Sequence, residues 1–330
     1  MRVTTMPPVA AATAGAVCIS SSAVLMKLAS TASPSVVALG RCAFALPVLG
    51  ALALRERRRG DPGRAPMPSR SRWLARLAGV FLAADLILWS HTIAAIGAGL
   101  GTVVGNLEVL IIALLAWLVL GERPSRSLVL ASPVMLAGLV LVGGLADTGM
   151  AHAYGTDPTL GVGLGVGVAV LYAVYILMLR QATPSGPGAA VAAPLFEATA
   201  GAVAGSVVLG LVLGDMRLGP PWPVLGWLVL LALTSQVIGW LLITVSMPRL
   251  AAGTIGALLL IQPAGSVALS YVILGERPSL LQLAGVALML TGVVVAVTGR
   301  TPDAPYSRRR TRIIRHASAA STGTSPSKSP

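Results

Sequence analysis

Acidic residues are scarce in this chain. Asp and Glu together number 11 among 330 residues, and all charged types make up 11%. A soluble domain carries about 25% charge, so a compact water-soluble enzyme is all but excluded. Cysteine is equally sparse: Cys18 and Cys42 both lie inside apolar segments, which rules out a disulfide scaffold and leaves them as packing residues. His91, His152 and His316 are too scattered to build a metal site with Cys or carboxylate neighbours. No GxxxxGK[ST] phosphate loop occurs, which disfavours ATP-driven chemistry within the chain. No cofactor and no metal are expected.

What is abundant is apolar sequence, at 55% hydrophobic residues and a mean hydropathy of +0.84. Apolar blocks of about 20 residues recur nearly end to end, and each is long enough to cross roughly 30 Å of hydrocarbon as a helix. Runs this continuous are helices rather than barrel strands, because backbone groups in lipid must be satisfied within the segment. The predicted spans are about 9–30, 35–54, 74–96, 99–120, 126–145, 160–181, 189–214, 223–245, 250–274 and 279–298. Arg2 before the first block resembles the start of a signal peptide, but nine more spans follow it. A polar break over 146–159 divides the chain near its midpoint.

The formal net charge of +13 would point to nucleic acid in a soluble protein. Its placement points elsewhere. With both termini cytoplasmic, 19 Lys and Arg residues fall on the inside against Arg217 and Arg277 outside, while Lys27, Arg41 and Arg76 lie within or at the ends of spans. That asymmetry is what the positive-inside rule asks. The basic tail, Arg308 to His316 above all, has no interleaved aromatics and reads as an anchor on anionic lipid.

The chain also repeats itself. ALLAWLVLGERPSRSLVLASPVMLAGLV from Ala113 returns as VALSYVILGERPSLLQLAGVALMLTGVV from Val267, offset by 154 residues with 11 of 28 positions identical. A shared LGERPS at the same helix junction points to duplication. Five spans per half is an odd number, so the second half enters the membrane from the opposite face. Inverted repeats of this kind can exchange conformations and expose one midplane site to each side in turn. The predicted architecture is therefore all-α and polytopic: ten transmembrane helices in two inverted five-helix repeats, 1–145 and 160–298, followed by a disordered basic cytoplasmic tail, 299–330.

An apolar helix ending in LGE, then R-P-S and a helix rich in small residues, once per half, resembles the EamA-type members of the drug/metabolite transporter superfamily. The stretches are Leu114–Ser125 and Gln262–Gly292. The resemblance implies a ten-helix cell-membrane permease that moves amino acids, other metabolites or drugs. The family's proline twelve positions before the motif glycine falls on Pro263; the first half has Val109 there, with Glu108 where the second half has Gln262. That departure implies a first-half helix that bends less and carries charge instead. The family's arginine early in its second helix matches Arg41.

Ionisable residues inside spans are costly in lipid and are site candidates by default. Asp85, Glu108 and Glu197 are the acids, with Lys27 and Arg41 available to compensate them. Glu108, near mid-membrane with Asn106 close by, is the leading candidate. It either loads and releases a proton as the halves alternate or sits in a permanent pair that fastens helices. Asp85 shares a helix face with Trp89 and suits an amine or cation, or else bonds to helix neighbours. Glu197 is expected to pair with Arg41. Gln236 with Trp240, Gln262 with Ser266, and Tyr172 with Tyr175 offer donors, acceptors and an aromatic wall for an amphipathic solute, or serve as interhelical contacts. Both GERPS turns read as interfacial structure and gating, with Glu122 and Glu276 at membrane faces.

The function expected is secondary active transport of a small metabolite, with export favoured and proton coupling open. The partners expected are that solute, protons, membrane lipids including anionic lipid at the tail, and a second copy in a homodimer; nucleic acid is not among them. The alternatives are a polytopic enzyme acting on a lipid-linked substrate and a passive channel.

Overall fold

A computed structural model describes residues 6–59, 67–121, 124–142, 157–183, 192–246, 258 and 261–298. Glu122, Arg123, His152, the 299–330 tail and most of the 146–159 break lie outside the described residues. Among the described residues every regular element is a helix. The helices are α1 (Pro8–Ser20), α2 (Ser22–Leu28), α3 (Pro34–Arg59), α4 (Ser69–Ile96), α5 (Ala98–Gly105), α6 (Glu108–Leu120), α7 (Arg126–Val142), α8 (Pro158–Ala182), α9 (Ala192–Leu213), α10 (Val224–Leu231), α11 (Trp240–Ser246), α12 (Ile261–Leu269) and α13 (Leu280–Thr298). Short π-helical stretches, Ala232–Gly239 and Ser270–Leu274, continue α10 into α11 and extend α12. Seven helical stretches are long and apolar enough to cross a membrane, and three more apolar helices, Arg126–Val142, Ile261–Leu274 and Leu280–Ala296, are shorter. The protein is thus a multi-pass helical membrane protein.

The chain runs back and forth between two ends of one bundle. At one end Ser35 N–H donates to Asp215 Oδ2 (3.3 Å), Asp157 N–H to Ala95 O (3.2 Å) and Gln282 Nε2 to Val142 O (3.4 Å). At the other, Ala192 N–H donates to Glu56 Oε2 (3.0 Å), and Arg76 Nε meets Glu197 Oε2 at 2.6 Å. Following the helices from contact to contact, Pro8 and Thr298 fall at the same end, the one rich in arginine.

The two halves pack as exchanged copies. α7 and α13 cross so closely that a Cβ on Gly138 would stand 2.7 Å from both Gly285 O and Met289 Cγ, while one on Gly292 would run into Met135 Cγ. Small residues permit this approach. The 154-residue offset converts the Gly138–Met289 pair into the Gly292–Met135 pair, so the crossing is symmetric under exchange of the halves. Contacts here pair rising numbers on α7 with falling numbers on α13 (135 with 292, 138 with 285 and 289, 142 with 282). Equivalent helices therefore run antiparallel, and the axis relating the halves lies across them rather than along them. Other packing follows the same exchange: α4 lies on α8 and α9, as α10–α11 with its π-helical stretch lies on α1 and α3.

The fourth and first crossings differ from the continuous helices read from the sequence. The stretch 99–120 breaks at Asn106–Leu107. Asn106 Nδ2 donates to Thr102 O at 2.8 Å, occupying the carbonyl that a continuing helix would offer to the Asn106 amide. The amides of Asn106, Leu107, Val109 and Leu110 turn instead to carbonyls three residues back, the tighter geometry of a 3₁₀ turn. The lower bend expected of a first-half helix without proline is therefore not found; an asparagine breaks it instead. In the first crossing, Ser20 Oγ donates to Val17 O and Ser21 Oγ to Cys18 O, both at 2.7 Å. Such back-bonding bends helices, and α1 gives way to α2 at Ser21.

Candidate functional site

These breaks fall around one central cavity of about 90 Å³, enough for several waters or a few solute atoms. Its wall carries Arg41 from α3, Asp85 and Trp89 from α4, Thr102, Gly105 and Asn106 from the first half's broken helix, and Glu108 at the start of α6. The second half contributes Tyr172 and Tyr175 from α8, Gln236 from the π-helical stretch, Trp240 and Gln262. Tyr172 and Tyr175 stand 5.6 Å apart, ring centre to ring centre, with their planes tilted by 56°.

Arg41 is the most tightly held of these groups. It is 5% exposed. Its Nε donates to Gln236 Oε1 at 3.1 Å, Nη1 to Ser22 Oγ at 3.0 Å, and Nη2 to Ser235 Oγ at 3.5 Å, with Met26 Sδ 3.9 Å from Nη1. The guanidinium also sits 5.9 Å from the centre of the Trp89 ring, in cation–π range. Adjacent residues of a regular α-helix point about 100° apart, yet Ser235 and Gln236 both reach this one side chain. Both lie in the π-helical stretch, and wider turns of that kind recur at functional positions.

All of Arg41's partners are neutral, and among the described residues it makes no ion pair. Asp85, 3% exposed in the same wall, has its Oδ1 buried without a hydrogen-bond partner. A buried carboxylate oxygen left unsatisfied is costly. The cavity therefore presents the Arg41 guanidinium beside two carboxyl groups, Asp85 and Glu108, with no direct ion pair between Arg41 and Asp85. Thr102 and Ser266 join hydroxyls at 3.0 Å across the halves.

Of the residues named from the sequence as solute or proton contacts, Arg41, Asp85, Trp89, Asn106, Glu108, Tyr172, Tyr175, Gln236, Trp240 and Gln262 line this cavity, whereas Ser266 and Glu197 do not. The Glu197 side chain is held by Arg76, not Arg41. Glu197 is the sixth residue of α9, near the arginine-rich end, and meets α4 there, whereas Arg41 is toward the opposite end of α3. Arg76 in turn lies over Trp73 at 5.5 Å. Lys27 and His91 are absent from the cavity lining. Sequence reasoning missed Ser22, Thr102 and Ser235; polar but uncharged residues in spans carry too little penalty in lipid to stand out. Among the described residues no group of three or more His, Cys, Asp or Glu is placed to hold a metal ion.

Among the described residues the protein is an all-helical membrane bundle of two exchanged halves with a polar cavity between them, an architecture that fits a multi-pass membrane transporter. Residues 6–144 and 159–298 each match the EamA-like transporter family, and the chain belongs to that family. No curated protein matches it. It is similar to a solved crystal structure of a protein at 19% identity and a TM-score of 0.58, over 88% of this chain and 96% of that one; at that identity the likeness speaks for the fold.

Proposed function

We propose that the protein is a secondary active permease of the cell membrane that exports a small metabolite, such as an amino acid or a drug-like compound with an amine, by alternating access coupled to protons. One observation carries this reading: Arg41 and Asp85 share a cavity wall without pairing, and Asp85 Oδ1 has no partner. A solute with a carboxylate and an ammonium satisfies both, with Trp89, Tyr172 and Trp240 as an apolar wall. Glu108 in the same wall is the proton carrier, and Asp85 is its competitor for that role. An inward proton gradient exchanged against solute drives export, which gives the direction.

The seven long and three shorter apolar helices make up ten spans in two inverted repeats, 1–145 and 160–298, with 299–330 as a basic tail on anionic lipid. Antiparallel packing of α7 on α13 and the sidedness of the end contacts support the inversion. The arginine-rich end is cytoplasmic, so both termini are too.

The test is solute counterflow in proteoliposomes with an amino-acid and amine panel, run at several pH gradients. Saturable counterflow of at least one panel member, lost in Arg41→Met and uncoupled from pH in Glu108→Gln, supports the reading. Flux proportional to gradient without counterflow describes a channel and overturns it. pH-driven flux that survives amide replacement of both Asp85 and Glu108 removes the proton coupling.

A further inference from the structure

The second LGERPS turn buries its glutamate against the first half of the chain. Glu276 is 6% exposed, and its two carboxylate oxygens accept the N–H groups of Ala98 (2.8 Å) and Gly99 (3.1 Å). These are the first amides of α5, which have no partner within their own helix, and the carboxylate also meets the positive end of that helix's dipole. Gly97, the turn before α5, has φ +92, and a Cβ there would stand 3.0 Å from both Glu276 oxygens. Neither the backbone nor the space admits a side chain. Further along the same seam, Thr102 bonds Ser266, and Ser266 Oγ reaches Ala98 O at 3.5 Å.

α5 is therefore an eight-residue rod between two backbone breaks, Gly97 and Asn106–Leu107. It belongs to the first half and is fastened by the second. Its Thr102 and Gly105, with Asn106 at its end, form part of the cavity wall.

We propose that Glu276 is the extracytoplasmic gate residue of the carrier: its carboxylate clamps α5 against α12, and release of Ala98 and Gly99 lets α5 tilt about its two breaks and open the cavity outward. The sidedness rests on the topology given under the proposed function; the clamp does not. Glu276→Gln keeps the shape but offers one oxygen and an N–H₂ that faces an N–H, so at least one of the two bonds is lost.

Accessibility reads this without any assay of transport. Gly105 lines the cavity with open space around a Cβ, so Gly105→Cys, with Cys18 and Cys42 replaced by Ala, reports entry of a membrane-impermeant thiol reagent. Glu276→Gln is expected to raise labelling from the extracytoplasmic face roughly tenfold, the shift that loss of about 1.4 kcal/mol produces, with labelling in inside-out vesicles unchanged or slower. Ser266→Ala, a milder cut of the same seam, is expected to act in the same direction and carries the test if Glu276→Gln does not accumulate in the membrane. Unchanged labelling from outside overturns the gate, as does a rise confined to inside-out vesicles. Absence of counterflow in the parent protein, with the labelling response of Glu276→Gln intact, would instead overturn the carrier reading and leave the clamp standing.

Discussion

Arg41→Lys separates charge from geometry in the cavity. The substitution keeps a cation on α3 but exchanges a planar fork for a single ammonium. In the structure the fork reaches Gln236 at 3.1 Å, Ser22 at 3.0 Å and Ser235 at 3.5 Å, three acceptors on two different crossings of the bundle. An ammonium on the shorter lysine stem holds one of them. The 3.5 Å contact is long and adds little, so the net loss is one good charge-assisted bond, about 1.5–3 kcal/mol. Ser22 recovers part of this by turning its hydroxyl to a backbone carbonyl, so about 2 kcal/mol remains. If the same fork positions the solute carboxylate, half-saturation for counterflow rises by roughly 30-fold at that energy. Maximal rate changes less, since the charge persists. The assay is counterflow against concentration in proteoliposomes, with thermal unfolding in detergent run in parallel. Half-saturation within about twofold of the parent, together with an unchanged melting temperature, would refute both the anchoring and the recognition assigned to Arg41.

The α7–α13 crossing makes a graded prediction. Gly138→Ala drives a methyl onto the Gly285 carbonyl, whereas Gly292→Ala meets the flexible Met135 side chain; the first is expected to cost about 1–3 kcal/mol and the second clearly less, by thermal unfolding in detergent. Equal costs would contradict the close backbone approach. Glu197→Gln removes an ion pair whose arginine is 45% exposed, so stability is expected to fall by no more than about 1 kcal/mol and counterflow to persist; loss of counterflow with normal folding would return Glu197 to the pathway. Asn106→Leu frees Thr102 O to accept the next helical amide and straightens the crossing. Counterflow is expected to slow in that variant, while solute binding by equilibrium dialysis survives; a rate equal to the parent's would mean that the break is not needed for movement.

The cavity was legible because ionisable and amide residues are so few inside the apolar spans that each stands out. Asp85, Arg41, Glu108 and Gln236 come from four different crossings, and bilayer energetics alone drives them toward one interior. Glu197 shows where that logic stops. Its depth along α9 matches Arg76 on α4 and not Arg41 on α3, and depth in a bundle depends on helix offsets that hydropathy does not encode. The repeat was legible in LGERPS and predicts the Gly138–Met289 and Gly292–Met135 exchange. What stayed hidden were small local events. Ser20 and Ser21 bending a helix, Asn106 capturing Thr102 O, and the π-helical stretch that turns Ser235 and Gln236 to one partner all arise from polar residues that also serve in ordinary packing. Glu276 was hidden differently: beside Arg277 at a turn it looks solvated, and only the docking of α5 from the other half buries it.

Arg126 and Leu280 are equivalent positions under the 154-residue offset, and both are exposed at the first turns of α7 and α13. Single cysteines at these two sites, Arg126→Cys and Leu280→Cys with Cys18 and Cys42 replaced by Ala, are to be labelled with an impermeant thiol reagent in intact cells and in inside-out vesicles. Two inverted halves around a shared cavity predict that Leu280→Cys reacts in cells and Arg126→Cys in inverted vesicles. Reaction of both from the same face would contradict the inversion, and with it alternating access through this cavity.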